Sequence, residues 1–180
     1  MPESNLRFLV LLDPKENRRK CTLTPLEGRG DVAFVRLRKP EPNGVQPALE
    51  IAESSGILLE LGAPVLREED RALLGSGPVI LLDATWARLP KVRARIAFRP
   101  EARVERRSLP PWVRTAYPRV SKVREDPPAG LASVEALYAA AAILGEPMLD
   151  LLDAYRWRAE FLDLNPRLPA HKMAPFRAFP

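Results

Sequence analysis

Residues 78–86, P-V-I-L-L-D-A-T-W, constrain this chain more than any other stretch. Their unbroken apolar run has no polar alternation, which is the pattern of a strand buried on both faces, as in a parallel sheet covered by helices. Asp83, Ala84, Thr85 and Trp86 then fall just beyond the strand's carboxyl end, the edge of an open α/β sheet where ligands bind. The same residues also fit a plainer arrangement, in which Asp83 caps a following helix and Trp86 fills a core.

The remaining pattern is consistent with α/β organisation. Residues 6–12, L-R-F-L-V-L-L, read as a second buried strand, stopped by Asp13-Pro14. Residues 31–38 alternate like a half-exposed strand, and 39–47 form a surface loop with three prolines and an Asn-Gly pair. A short apolar run at 57–61 ends at Gly62, and 67–74 fit a short helix. Residues 1–75 thus form a β-rich N-terminal region. Farther on, 133–144 predict a helix with Ser133 at its N-cap and Glu135 in its first turn, where the macrodipole favours negative charge. After Gly145-Glu146-Pro147 a second helix is expected, with Met148, Leu151, Leu152, Tyr155, Ala159 and Leu162 as its apolar stripe and Asn165-Pro166 as its stop. Residues 169–180 are a proline-rich tail.

Composition excludes several chemistries. Cys21 is the only cysteine and His171 the only histidine, so no disulfide, Cys/His zinc site or Ser-His-Asp triad is expected, and no metal is assigned. Neither a P-loop nor a G-x-G-x-x-G is present. The opening residues do not form a signal peptide and no apolar run reaches membrane-spanning length, so a soluble cytoplasmic protein without membrane association is expected.

The charge is uneven. Lys+Arg number 28 against 23 Asp+Glu, a net charge of +5. Lys15, Arg18, Arg19 and Lys20 crowd the loop after the first strand, well placed to meet phosphate. Between residues 88 and 107 lie Arg88, Lys91, Arg93, Arg95, Arg99, Arg103, Arg106 and Arg107, opposed only by Glu101 and Glu105. Arg88, Lys91 and Arg95 share a helical face by their spacing. Arg114, Arg119, Lys122 and Arg124 continue the series past Trp112 and Tyr117. Guanidiniums interleaved with flat rings suit RNA, whose phosphates need positive charge and whose unpaired bases need a stacking surface. Taken singly, each basic group also fits a solvated charged face.

Near the predicted sheet edge, Asp83, Thr85, Trp86, Thr22 and the helix start at 131–135 suit an adenosyl ligand carrying an amino acid, with its carboxylate at the helix N-terminus.

Several of these motifs together resemble the family of rRNA aminocarboxypropyltransferases that modify small-subunit ribosomal RNA, and more distantly the DTW-domain tRNA-uridine aminocarboxypropyltransferases. The family's D-P-K-x-C-T is similar to Asp13-Pro14-Lys15 followed, after an insertion, by Cys21-Thr22. Its D-C-S-W-A-R resembles D-A-T-W-A-R at 83–88, and its R-x-L-P-x-L-x-A-A-N-P resembles R-S-L-P-P-W-V-R-T-A-Y-P at 107–118. L-S-x-x-E-A corresponds to L-A-S-V-E-A at 131–136, with Ala132 at the family's serine. F-x-W-G-x-x-F-x-x-x-N resembles Tyr155-Arg156-Trp157-Arg158 with Phe161 and Asn165. The strand the family ends in L-S-P looks like Leu59-Glu60-Leu61.

The resemblance implies an α/β, SPOUT-like fold, with a cofactor-binding region over 76–168 and a C-terminal trefoil knot, preceded by the β-rich region. It implies S-adenosylmethionine as cofactor and transfer of its 3-amino-3-carboxypropyl group, by a largely monomeric enzyme, to a uridine-type base nitrogen in ribosomal RNA or a pre-ribosomal particle. Transfer RNA as the target, methyl transfer in the same fold, and an RNA-binding assembly factor are the alternatives. Thr22, Leu59, Leu61, Trp86, Leu109, Leu131, Ala132 and Ser133 are implied to contact the cofactor. Asp83 is the candidate for proton removal from the base or for support of the sulfonium. The expected RNA platform is Lys15, Arg18, Arg19, Lys20, Arg88, Lys91, Arg93, Arg95 and Arg99.

Overall fold

The computed structural model describes residues 6–16, 21–39, 48–118, 127 and 130–169. Its centre is a five-stranded, wholly parallel sheet in the order β2 (Val32–Arg36), β1 (Phe8–Leu12), β5 (Val79–Asp83), β4 (Ser55–Leu59), β7 (Arg103–Arg107). Of the three inner strands, β1 and β5 are buried along their whole length, in keeping with their apolar sequences. Alternate side chains divide between two cores: Phe8, Val10, Leu12, Val79 and Leu81 enter one cluster, Leu9, Leu11, Ile80 and Leu82 the other.

The first of those cores is closed by α3 (Ser133–Ile143) and by α4 (Arg158–Leu164), which contributes Phe161. The helix α3 is buried almost all round, and its run Ala139–Ala142 lets its backbone approach the sheet closely. On the opposite face a small parallel pair, β3 (Leu49–Ile51) with β6 (Ile96–Phe98), covers the second core together with α2 (Leu89–Arg93). A fourth helix, α1 (Arg71–Leu74), continues a 3₁₀ turn at Glu68–Asp70, which is how the expected helix at 67–74 is realised.

Register sets the sheet edge. Leu12 lies opposite Asp83, so β1 and β5 end flush. Ile57 lies opposite Val79, which puts Leu59, the last residue of β4, level with Leu81 and leaves Asp83 projecting beyond it.

Three expectations are corrected. The boundary at residue 75 falls inside one sheet, because β2, β1 and β4 precede it while β5 and β7 follow it. The basic stretch 88–107 is not a helical face: α2 ends at Arg93, and the chain then enters β6 and β7. Arg95 lies beyond that helix, only 7% exposed, donating to the Arg38 carbonyl at 2.7 Å, so it is part of the fold and not of an RNA platform. Finally, the expected second C-terminal helix is two pieces, a 3₁₀ turn at Leu149–Leu152 and α4, with turns between. Met148, Leu151, Leu152 and Tyr155 are buried as the stripe required, but Phe161 takes the core position assigned to Ala159, which is exposed. Among the described residues no helix is long and apolar enough to cross a membrane.

The approach to β5 is tight. A Cβ on Gly77 would lie 1.9 Å from the Ser55 carbonyl oxygen, a backbone atom that cannot swing aside. Gly77→Ala is therefore expected to destabilise the fold by roughly 1–3 kcal/mol or more, as overpacking does. Chemical denaturation would measure it, and an unchanged midpoint would show that this junction yields easily.

Candidate functional site

The carboxyl ends of β1, β5, β4 and β7 and the amino end of α3 meet along one side of the sheet. The topology gathers there residues far apart in sequence: Asp13 and Thr22 after β1, Leu59 and Leu61 at the end of β4, Asp83 to Trp86 after β5, Leu109 after β7, and Leu131 to Ser133 before and at α3.

Two buried carboxylates lie side by side there, joined by a backbone bond from the Asp13 N–H to the Asp83 carbonyl at 3.0 Å. Their partners differ. Asp13 forms a two-pronged ion pair with Arg88, whose Nη2 donates at 2.8 Å, and also accepts the Lys15 N–H at 3.1 Å. Burial raises its pKa, but the Arg88 hydrogen bonds and charge outweigh burial and hold the carboxyl below its usual range. Asp83, 6% exposed, accepts instead from two neutral donors, the Ser133 hydroxyl at 2.5 Å and the Cys21 thiol at 3.1 Å. No cationic side chain pairs with it among the described residues; Ser133, the first residue of α3, places it beside the positive end of that helix. A buried carboxylate without a cation is costly, and a cationic ligand at this edge would complete it. Burial, then the Asp83 charge, pushes the Cys21 thiol up to about 12.

Ser133 does not cap α3. Ala132 holds the N-cap position, its N–H satisfied by Glu135 at 2.8 Å, which leaves the Ser133 hydroxyl for Asp83. The Thr22 hydroxyl accepts the Val134 N–H at 3.3 Å, tying the loop after β1 to the same helix start.

Glu135 does much more than favour a helix dipole. Fully buried, it accepts from the Thr115 hydroxyl (2.6 Å), the Ala116 N–H (2.8 Å), the Ala132 N–H (2.8 Å) and the Tyr155 hydroxyl (2.8 Å). Burial and this carboxylate raise the Tyr155 phenol well above its usual value. The sequence signals Glu135 only as a first-turn acid; its partners at 115, 116 and 155 come together only through folding.

Trp86 is half-buried beside the connector leading into α3. A Cβ on Gly130 would lie 2.9 Å from the indole Cζ2 and 2.9 Å from the Pro127 carbonyl oxygen, so only glycine lets the chain pass this close to the ring. Leu59 is buried, Leu109, Leu131 and Ala132 are half-buried, and Leu61 stands 44% exposed, leaving apolar surface at the edge.

The expected RNA platform is dispersed. Lys15 and Lys91 are exposed, and Arg88 is committed to Asp13. Arg93 faces Glu60 at 3.7 Å and Arg99 faces Glu50 at 3.2 Å. Arg18, Arg19 and Lys20 lie outside the described residues, as do Arg119, Lys122, Arg124 and His171.

Residues 57–172 match the family model described as Ribosome biogenesis protein, C-terminal. A comparison with curated proteins finds no match. Among solved structures, the chain is similar to the SAM-dependent rRNA:acp-transferase Tsr3 from Vulcanisaeta distributa, with 24% identity, a TM-score of 0.66, and coverage of 91% of this chain and 80% of that one. That likeness establishes a shared α/β fold.

Two outcomes test the geometry. Cys21 should resist iodoacetamide at pH 8 in the native protein and react readily once unfolded; Asp83→Asn, by removing the adjacent charge, should speed the native reaction. Equal rates in native and unfolded protein would contradict the half-buried, hydrogen-bonded thiol. The Asp13–Arg88 pair stabilises the fold fully above the ordinary aspartate value of 3.8, and its contribution is lost as pH falls through the lower native value. Asp13→Asn should therefore flatten the stability–pH curve in that acid window, as read by thermal unfolding.

Proposed function

This chain belongs to the ribosome biogenesis family that its residues 57–172 match, and on that premise we propose that it transfers a 3-amino-3-carboxypropyl group from S-adenosylmethionine to a uridine or pseudouridine nitrogen in ribosomal RNA, releasing methylthioadenosine. The observation that carries this reading is the site itself: a half-buried indole under a glycine that admits no side chain, beside a buried carboxylate with no cationic partner among the described residues, at the carboxyl edge of a fold shared with an rRNA acp-transferase. An adenosyl sulfonium matches that donor set, since it offers a flat ring system and a fixed positive charge.

Trp86, Leu59, Leu61, Leu109 and Leu131 would hold the apolar parts of the cofactor, with Thr22, Ala132 and Ser133 at the helix start facing its polar parts. When bound, S-adenosylmethionine supplies a sulfonium with three electrophilic carbons. The walls of the pocket select among them by fixing which carbon the base nitrogen approaches in line. Asp83 favours the cation from a fixed position, held by its two neutral donors. Arg88 neutralises Asp13, keeping a second negative charge from competing.

The proposal extends to a SPOUT-like trefoil knot. It is supported by the placement of the start of α3, which meets Thr22 after β1 and Asp83 at the end of β5. The enzyme is taken to act as a cytoplasmic monomer.

The test uses S-adenosylmethionine labelled at either the carboxyl carbon or the methyl, incubated with the protein and rRNA from cells lacking this gene. Carboxyl label in the RNA is expected. Methyl label instead would make the protein a methyltransferase of the same fold, and transfer to tRNA alone would reassign its substrate. Cofactor binding without transfer to either RNA would leave an assembly factor. Trp86→Ala should weaken cofactor affinity by roughly tenfold, about 1.4 kcal/mol, in calorimetry.

A further inference from the structure

The connector 111–115 and the end of α4 enclose a groove of about 630 Å³ that the cofactor reading leaves unused. Its lining includes Trp112, Arg114, Leu164, Asn165 and Arg167, and no carboxylate residue. The walls are clasped together: Asn165, buried beneath them, accepts the Arg114 N–H at 2.7 Å and donates to the Arg114 carbonyl at 2.7 Å. The groove is therefore preformed. Arg167 stacks over the Trp112 ring, 5.9 Å from its centroid. Both Arg114 and Arg167 are exposed, and neither guanidinium has a carboxylate partner among the described residues. This contrasts with Arg88, Arg93, Arg99, Arg106 and Arg107, which all face acids.

We propose that this groove is an RNA-docking subsite that takes an unpaired nucleotide of single-stranded RNA, its base stacked against Trp112 and Arg167 and its phosphates met by Arg114 and Arg167. A flat indole with a guanidinium on its face offers a stacking platform that accepts any base. The unopposed charges give complementarity to phosphate, and the absence of lining carboxylates removes the repulsion a polyanion would otherwise meet. The choice of RNA as the polyanion rests on the function proposed above; the groove's chemistry stands apart from the cofactor site.

The experiment measures binding of a short fluorescein-labelled single-stranded RNA of mixed sequence by fluorescence anisotropy, at several salt concentrations, alongside S-adenosylmethionine calorimetry on the same preparations. Arg114→Ala/Arg167→Ala should weaken RNA binding and reduce the slope of log K against log salt by about 0.7 for each lost phosphate contact. Trp112→Leu should lower affinity by roughly tenfold with the slope unchanged, the signature of lost stacking. Cofactor affinity should stay at the wild-type value in both. The arginine variant alters only exposed side chains, so it tests the idea even if Trp112→Leu unfolds.

Unchanged RNA affinity and slope in the arginine variant would overturn the proposal. So would equal competition by duplex RNA, or by poly-glutamate, which would make the groove a general anion or acidic-peptide site. RNA binding that depends on these residues in a protein that binds no S-adenosylmethionine would uphold the groove while removing the proposed catalysis.

Discussion

Everything at the ligand edge hangs on one buried carboxylate. Glu135 fixes the amino end of α3, the connector at 115–116 and Tyr155 by four hydrogen bonds. Burying a carboxylate costs several kcal/mol. Hydrogen bonds to a charged acceptor contribute about 1.5–3 kcal/mol each, so four of them offset that cost. The result is a corner that ties residues 115–116 to the start of α3. The same corner aims Ser133 at Asp83 and leaves Gly130 close to Trp86.

Asp83 at the end of β5 and Asp13 just after β1 have opposite assignments, and the difference lies in what the neighbouring loops supply. Arg88, following the turn after β5, reaches back to Asp13 and cancels its charge. Among the described residues, the Asp83 side chain meets a hydroxyl and a thiol and no cation. A neutral pair beside an unneutralised carboxylate concentrates the edge's negative potential at one place, which is what a small cationic ligand needs.

Positive charge behaves in the contrary way. Most of the densest run in the sequence is paired with other groups of the chain, with Asp13, Glu60, Glu50 and Asp70 and with the Arg38 carbonyl, some of these pairs being exposed at the surface. Clustering along a chain does not make a field in space when strands turn successive residues to opposite faces and each face offers acids. The less conspicuous Arg114 and Arg167 have no carboxylate partner among the described residues.

The sequence by itself determined the architecture's centre. The apolar runs at 8–12 and 79–82 read as strands covered on both faces, so the parallel sheet, its covering helices and the position of Asp83 at a carboxyl edge were legible without coordinates. The helix at 133–143 was legible for a similar local reason, since alanine and leucine favour it and Gly145 ends it. Tertiary structure alone decided the partners. Ala132 displaced Ser133 from the cap because Glu135 satisfies that N–H and Asp83 claims the hydroxyl. Arg95 was buried by a carbonyl 57 residues away. The break before α4, the shared sheet across residue 75, and the clasp of Asn165 on Arg114 all depend on which distant segments meet. Periodicity reports which side of an element is apolar; hydrogen bonds between segments far apart in sequence leave no period to read.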